Sequence, residues 1–496
     1  MTLRSVRQAI SLDDVRRQHG LRLGVGVGLV AAIAGMLLAT VGPIYTSIGV
    51  IALAGAVWAF WRLENALSAV IFVVVLLPYA TLPFKVVLTL SFLDIAVLIV
   101  YTLYLLEWMT GQRRRLAVTP IHAFVILFVV LSLFSFVAGL RYAGLTSNRL
   151  RQFSELALCV VFGLLLVDML QTEEKLQSLV RVLILAGIIA SIIGIVLWIL
   201  PDTLTDNLLS RLSVIGYPNS GVIHYIEDNP ELAERAIGTS VDPNSFGGIL
   251  VIIAAITAAQ LTSNKPAFGR RWLVAAALGL MVACLGLTFS RGAMFAFAVA
   301  LFVIGWLSDR RLILLLLVGI VVAIALPFTQ AYVERFFSGI QGVDLATQMR
   351  FGEYKDALIL IQRYPLIGVG FTGAPDIDIY LGVSSLYLTI ASNMGLVGLL
   401  AFLSVITALF AYAALARNVL VPGSQLRSTW LGLIAAMVTI LVGGIFDHYF
   451  FNLEFFHAST MLWMCVGLLL ATTRIALTKS IAPFEEDASA AISKST

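Results

Sequence analysis

The segment RFGEYKDALILIQRYPLIGVGF, residues 350–371, precedes a long apolar run, SLYLTIASNMGLVGLLAFLSVITALFAYAAL, at residues 385–415. The apolar run exceeds the roughly 20 residues that a helix needs to cross a bilayer. In the charged segment, apolar residues recur at steps of three and four, which predicts an amphipathic helix that Pro365 ends. Together the two segments predict a folded polar excursion that returns into a membrane.

The composition places the whole chain in a membrane. Hydrophobic residues make up 60% and charged residues 12%, and the mean hydropathy is +0.98. Soluble domains carry roughly 25% charged residues. The net charge of +4 is modest, and most of it lies in loops predicted to be cytoplasmic, so no nucleic-acid partner is expected. The sequence therefore predicts an all-α polytopic membrane protein.

Apolar segments long enough to span a bilayer predict about 12–14 transmembrane helices. Their approximate bounds are 22–41, 45–61, 66–82, 92–109, 120–140, 151–170, 177–200, 243–262, 271–289, 292–308, 311–327, 385–416, 428–446 and 457–476.

Lysines and arginines concentrate in alternate loops, and this bias predicts that both termini are cytoplasmic. The first apolar run is long enough to remain as an anchor, so no cleavable signal peptide is predicted. The predicted parts are a cytoplasmic segment 1–21, transmembrane helices within 22–327 with an outer loop 201–242, a large extracytoplasmic loop 328–384, transmembrane helices within 385–476, and a cytoplasmic disordered tail 477–496.

Some arginines on the predicted outer side oppose this bias. Arg291, within Ser290-Arg291-Gly292, lies between two apolar runs with almost no room for a loop. A charge at membrane depth is costly and usually faces a cavity or a ligand. Arg291 and Arg350 are therefore predicted to be functional. Snorkelling or local pairing is favoured for four others, namely Arg141, Arg211, Arg235 and Arg335.

Three patches resemble the bacterial O-antigen ligase and O-antigen or exopolysaccharide polymerase family. They are Asp242-Pro243-Asn244-Ser245-Phe246, then Leu287-Thr288-Phe289-Ser290-Arg291-Gly292-Ala293, then a series from Arg350 through Pro365, Gly368, Gly370, Phe371 and Tyr387 to Gly395-Leu396-Val397-Gly398-Leu399. The order of the patches, their spacing and the long outer loop carry the resemblance over about residues 240–400.

The resemblance implies a GT-C-like membrane glycosyltransferase of the bacterial inner membrane, active on the periplasmic face. Its donor would be a glycan on undecaprenyl pyrophosphate, transferred to a glycan acceptor with inversion and without a metal or cofactor. Family arginines that contact the pyrophosphate correspond to Arg291 and Arg350. Arginine suits this role because its fork binds phosphate oxygens and stabilises the leaving charge. Both arginines are expected to face ligand and not a buried partner.

Further site residues are predicted from these patches. The catalytic candidates are Arg291, Arg350 and Glu353. A turn with Gly368 and Gly370 would let the backbone approach a ligand closely. The predicted substrate-binding residues are Asp242, Asn244, Ser290, Tyr354, Arg363, Gly368, Gly370, Ser384 and Tyr387. Asp242 is equally well explained as a helix cap with Pro243 in the first turn.

The chain departs from the family at one point. Ligases of the family commonly carry His-Asn where this chain has Ser384-Ser385, so no histidine base can be transferred. Asp376 and Asp378 have a metal-ligand spacing but are more simply read as solvated loop carboxylates. A base is dispensable if leaving-group stabilisation carries the rate. The substitute bases in the sequence are Glu353, Asp376, Asp378, His224, Asp447, His448 and His457.

The departure favours a polymerase that joins lipid-linked repeat units into a surface polysaccharide. The alternative is an O-antigen ligase that transfers glycan to lipid A-core or protein. A transporter or flippase is disfavoured because no repeat relates the halves of the chain. The expected partners are the lipid bilayer, the donor and the acceptor, with other polysaccharide-assembly membrane proteins as further candidates.

Overall fold

The computed structural model describes residue 39 and residues 43–83, 89–325, 330–342, 344–373 and 383–495. The chain divides into two compact units, Met1–Asn65 and Ala66–Thr496. Helix α1 (Pro43–Trp61) belongs to the first unit, and α2 (Leu63–Leu76) begins at its end. Most of the predicted segment 22–41 lies outside the described residues.

The described part of the second unit is almost wholly helical. A single short antiparallel pair, β1 (His224–Tyr225) and β2 (Glu234–Arg235), is the one sheet among these residues. The helices are α3 (Phe92–Met109), α4 (Ile121–Gly139), α5 (Ser147–Met169), α6 (Glu173–Ile199), α7 (Asp202–Ser210), α8 (Pro243–Gln260), α9 (Arg271–Leu287), α10 (Arg291–Leu307), α11 (Arg311–Ala325), α12 (Gln330–Gln341), α13 (Leu345–Arg363), α14 (Leu386–Leu415), α15 (Gln425–Phe446) and α16 (Phe456–Ser495).

Within the described residues, eight helices are long and apolar enough to cross a membrane, namely α3, α4, α5, α6, α8, α14 with its extension to Asn418, α15, and α16 as far as Ser480. Shorter apolar helices cover Gly49–Trp61, Leu63–Leu76, Arg271–Leu287, Arg291–Leu307 and Arg311–Val321. Every apolar segment predicted beyond residue 42 therefore has a helical counterpart. The prediction of an all-α polytopic membrane protein is confirmed.

Polar side chains fix where many of these helices begin. Thr146, Thr172, Asp242, Asp344 and Ser424 each accept a hydrogen bond from the backbone N–H three residues later. Such caps satisfy donors that the first helical turn leaves unpaired. A single capping residue therefore marks the start of each of the helices α5, α6, α8, α13 and α15.

The core of the second unit lies between long, mostly apolar helices. α16 packs along α5, α15 packs along α8 and α10, and α14 packs along α4. Phe128, Phe162, Phe402 and Trp463 are completely enclosed there. The opposite face of α4 exposes an apolar stripe at four-residue steps, Ile126, Val130 and Phe134. Such a stripe is what a lipid-facing helix presents.

The two predicted outer loops contain structure of their own. Residues 201–242 hold α7 and the β1–β2 pair, and residues 328–384 hold α12 and α13. As predicted, α13 ends just before Pro365, because proline cannot continue a helix. The described backbone of the carboxyl tail is helical as far as Ser495. The disorder of this tail stays a prediction.

Candidate functional site

The connection between α9 and α10 is only three residues long, Thr288 to Ser290. Its middle residue, Phe289, has a φ of 51°, which is uncommon for a bulky side chain. The Ser290 N–H donates to the Thr288 hydroxyl oxygen at 3.2 Å. The turn therefore starts α10 directly at Arg291, one residue before the predicted segment 292–308.

Arg235 on β2 joins this turn to the start of α8. Its Nε donates to the Thr288 carbonyl at 2.9 Å, and its Nη2 donates to Asn244 Oδ1 at 2.7 Å. The sequence favoured snorkelling or pairing with a carboxylate for this residue. The structure gives it a carbonyl and an amide as hydrogen-bond acceptors, and these contacts hold two helix ends side by side.

Arg291 has a partner that the sequence did not reveal. Its Nη2 lies 2.6 Å from Oδ2 of Asp344, the residue that caps α13. Burial raises the pKa of Asp344, but hydrogen bonds from Arg291 and Thr347 outweigh it and lower the pKa to about 2. The side chains are 17% and 7% exposed, respectively. The expectation that Arg291 has no buried partner is therefore wrong, because its guanidinium anchors the outer-loop helix.

A close backbone also confines the Arg291 guanidinium. Gly339 of α12 packs directly against it, and a side chain at this glycine would overlap Nη1 and Cζ of Arg291. The guanidinium is thus held between α12 and the start of α13. Asp344 and Gly339 were missed because both are separated from Arg291 by about 50 residues of sequence.

Arg350, on the second turn of α13, is the counterpart of Arg291. It is partly buried, and it makes no hydrogen bond or ion pair within the part of the chain that the structure describes. A partly buried cation without a partner is costly unless water or a ligand satisfies it. Its surroundings therefore favour an anion.

The two arginines line a small polar cavity of about 60 Å³, named here the arginine cavity. Asn244 and Ser290, both predicted site residues, line it as well, and Asp447 contributes a carboxylate. The cavity thus collects cationic, amide and hydroxyl groups from α8, α10, α13 and the end of α15.

A larger cavity of about 430 Å³, named here the apolar cavity, lies beside it. The two cavities share Arg291, Gly292, Arg350 and Phe446. The other walls of the apolar cavity are mostly aromatic, with Phe295, Phe336, Phe351 and Tyr354 among them. An amphipathic ligand could therefore place a charged group at the arginines and an apolar chain beside it.

Glu353 and Tyr354 hold the backbone that leads into α14. Glu353 Oε2 accepts the Ser384 N–H at 2.8 Å. The Tyr354 hydroxyl lies 3.1 Å from the carbonyl oxygens of both Ser384 and Ile445. Burial raises the pKa of Tyr354, so its hydroxyl remains a donor. Glu353 and Ser384 thus contact each other, and neither lines the arginine cavity or the larger cavity beside it.

Asp447 is the candidate base that lines the arginine cavity together with Arg291 and Arg350. Its backbone carbonyl accepts the Leu386 N–H at 3.0 Å, next to Ser384-Ser385. Its Oδ1 lies 3.1 Å from Nδ1 of His448. Burial lowers the pKa of His448, but Asp447 and the more distant carboxylates of Glu353 and Asp242 outweigh it and raise the pKa. Asp447 therefore stands beside an imidazole that favours the charged form.

The remaining candidate bases are elsewhere. His457 is buried and lies 2.9 Å from the Ser245 hydroxyl, and His224 lies on β1. Asp376 and Asp378 fall outside the described residues. Asp242 accepts the Ser245 N–H at 2.6 Å as the cap of α8, and does not line either cavity. Burial and the nearby Asp447 raise the pKa of Asp242.

The predicted glycine turn packs against other parts of the chain. Gly368 and Gly370 have φ of 68° and 80° and are buried. The N–H groups of Val369 and Gly370 donate to carbonyls of α14, just before Gly395 interrupts that helix with a φ of 69°. A side chain at Gly370 would overlap the backbone of α4. These glycines therefore lock the loop into the break of α14.

Two other predicted residues are also removed from the cavities. The Tyr387 hydroxyl donates to the Leu441 carbonyl at 2.8 Å and joins α14 to α15. Arg363 is exposed in the last turn of α13, about 20 Å along the helix axis from Arg350.

Comparison with known proteins finds a family match that covers part of the cavity lining. Residues 274–403 match the family model described as O-antigen ligase. The match includes Arg291, Arg350 and the glycine turn, and it confirms the family resemblance drawn from the sequence. No curated protein matches the chain. Over these 130 of its 496 residues, the chain is similar to O-antigen ligases.

Proposed function

We propose that the chain is a membrane glycosyltransferase that joins lipid-linked repeat units into a longer surface polysaccharide. Its donor is a glycan on undecaprenyl pyrophosphate, and it works at the extracytoplasmic face of a bacterial inner membrane. The family match over residues 274–403 supports this class of reaction. The basic-residue bias of the loops supports the orientation.

One observation carries the proposal. Arg350 has no hydrogen-bond or ion-pair partner among the described residues, and it lies where the arginine cavity and the apolar cavity meet. A lipid pyrophosphate has the matching pattern, with a doubly phosphorylated head next to an isoprenoid chain. Arg291 approaches the same point from α10, so two guanidinium groups can bind one pyrophosphate from different elements.

The chemistry is a single displacement at the anomeric carbon of the donor glycan. An acceptor hydroxyl oxygen forms a new bond to that carbon while the bond to the pyrophosphate oxygen breaks. Arg291 and Arg350 stabilise the negative charge that develops on the leaving pyrophosphate. The carboxylate of Asp447 accepts the proton of the acceptor hydroxyl.

Arg291 serves two anions in this mechanism. A guanidinium offers five N–H donors, so the Nη2 contact with Asp344 leaves donors for a phosphate. Because Asp344 caps α13, the same contact ties Arg291 to the helix that carries Arg350. The ion pair therefore positions the donor site as well as the loop.

The ligase alternative is favoured by the description of the family model, and the polymerase by Ser384-Ser385 in place of His-Asn. The two functions predict different lipid-linked glycans in cells without the protein. Single repeats that accumulate on the carrier indicate a polymerase. Long chains on the carrier indicate a ligase and would contradict the polymerase proposal.

A further inference from the structure

A third cavity lies at the other end of α15. This helix ends at Phe446, which lines the arginine cavity, and begins at Gln425, which lines the third cavity. Its 22 residues separate the two by about 30 Å, the thickness of the hydrocarbon core of a bilayer. The third cavity, named here the distal cavity, measures about 670 Å³ and lies among the starts of α6 and α15 and residues 474–479 of α16.

Positive charge exceeds negative charge at the walls of the distal cavity. Lys479 Nζ lies 2.5 Å from Glu173 Oε2, so these two charges compensate each other. Arg181 and Arg474 also line the cavity, and neither makes a hydrogen bond or ion pair to any residue that the structure describes. Among the side chains that the structure describes, Glu174 is the one further acidic group at the wall. Two arginines are thus set against one exposed carboxylate.

Buried donors at the same place lack acceptors. Gln177 lines the cavity and is 4% exposed, and its Nε2 has no hydrogen-bond partner in the described structure. Its Oε1 accepts the Thr429 hydroxyl at 3.0 Å. Nε of Arg474 is likewise buried without a partner. Buried donors without acceptors are costly, so these groups point to an anionic oxygen as the missing acceptor.

Two helix starts add to this preference. α6 has 27 residues and α15 has 22, and both begin at the distal cavity. The free N–H groups of a first turn give it a partial positive charge that favours anions. The unpaired guanidinium groups, the buried amide donor and the helix starts therefore all favour a negatively charged ligand.

We propose that the distal cavity binds the phosphate of an anionic phospholipid headgroup, from the leaflet opposite the arginine cavity. Arg181 and Arg474 supply forked donors for the phosphate oxygens, and Gln177 supplies a third donor. The position of the cavity, at the ends of the membrane-crossing helices α6 and α15, is the depth at which headgroups lie. Basic pockets between transmembrane helices are a known means of binding such lipids.

The test uses the full chain, purified in detergent and titrated with phosphatidylglycerol, with phosphatidylcholine and, separately, with inorganic phosphate. Binding is followed by the shift in Tm and by native mass spectrometry. Phosphatidylglycerol should raise Tm in a saturable way, and phosphatidylcholine should not. The double variant Arg181→Gln, Arg474→Gln should weaken apparent affinity by about tenfold or more.

The matched control is Arg310→Gln, Arg417→Gln, which removes two exposed arginines from the same end of the bundle but outside the cavity. It should bind like the original protein. Arg181 is exposed, so Arg181→Gln alone should fold and bind several-fold more weakly even if the double variant does not fold. Equal affinity in the cavity and control variants, or equal binding of the two lipids, would overturn the proposal. Saturable binding of inorganic phosphate without binding of phosphatidylglycerol would overturn the lipid assignment.

Discussion

Arg291 and Arg350 line the same two cavities but are held in opposite ways. Arg291 is fixed by Asp344 and covered by Gly339, whereas Arg350 has no hydrogen-bond or ion-pair partner among the described residues. In the proposed mechanism, Arg291 therefore contributes to folding and to ligand binding, and Arg350 mainly to ligand binding. The difference shows that two residues with the same predicted role can differ in how much they stabilise the fold.

The largest expected effect is at Arg350. Arg350→Ala should lower kcat/KM by a factor of about 10²–10³, comparable to the loss of one donor to a developing anion. Tm should barely change, because no ion pair to a described residue is lost. Activity per folded molecule and a thermal melt are the measurements. An unchanged kcat/KM would remove Arg350 from the donor site, and a large fall in Tm would show that it is structural.

Asp447 tests the acceptor side of the same cavity. Asp447→Asn should lower turnover by about 10²-fold, because the amide cannot accept the proton of the acceptor hydroxyl. It should also lower the pKa of His448, since Asp447 is the strongest of the groups that raise it. Turnover and an NMR titration of His448 check the two effects. The control is Asp228→Asn, which changes an exposed carboxylate in the connection between β1 and β2. Full turnover in Asp447→Asn would mean that the reaction needs no base at this position.

Replacement of Arg291 should lower the stability of the protein more than replacement of Arg350. Arg291→Ala breaks a largely buried ion pair and should lower the free energy of unfolding by about 1–3 kcal/mol, in addition to its loss of activity. Asp344 has a folded pKa of about 2, below its ordinary value of 3.8, so its contribution is present above pH 3.8 and is lost as the pH falls through 2. The difference in stability between the variant and the original protein should therefore shrink in acid.

Asp344→Asn is the companion variant for this prediction. It should lose most of the same stability while keeping Arg291 in the cavity. If Arg291→Ala and Arg350→Ala unfold at the same temperature, the distinction between the two arginines fails.

The smallest expected effect is at Gly339, which packs against the Arg291 guanidinium. Gly339→Ala adds a methyl group where the guanidinium lies, and the flexible arginine must shift. Alanine favours the helix by about 1 kcal/mol over glycine, which offsets part of the stability lost when Arg291 shifts from Asp344, so stability should change little. kcat/KM should fall several-fold, because Arg291 moves from its place. Gly352→Ala on α13, where a side chain meets open space, should leave activity unchanged. Equal activity in the two variants would show that the position of Arg291 is not critical.

Local signals explain what the sequence could predict. Hydropathy identified the membrane helices, Pro365 marked the end of α13, and the short spacing around Ser290 identified the tight turn that presents Arg291. The cap pattern of Asp344 and Thr347 is also local, and could have placed the start of α13. Each of these features depends on residues that are close in sequence.

Long-range contacts account for the errors. The pairing of Arg291 with Asp344, and of Glu353 with the Ser384 N–H, joins segments that only the fold brings together. Gly368 and Gly370 need positive φ whether the backbone meets a ligand or another helix, so their residue type could not distinguish the two. The choice of Asp447 over the other candidate bases likewise required the end of α15 to meet α13.

The central claim is that Arg350 binds the pyrophosphate of the donor through its fork. The most direct measurement is the Kd of undecaprenyl pyrophosphate for the original protein, Arg350→Lys and Arg363→Lys, in detergent with a chelator present. Lysine keeps the charge but loses the bidentate contact. We predict measurable binding in chelator, a Kd at least tenfold weaker for Arg350→Lys, and no change for Arg363→Lys. Equal Kd values for all three proteins, or binding that appears only with an added divalent cation, would contradict the account.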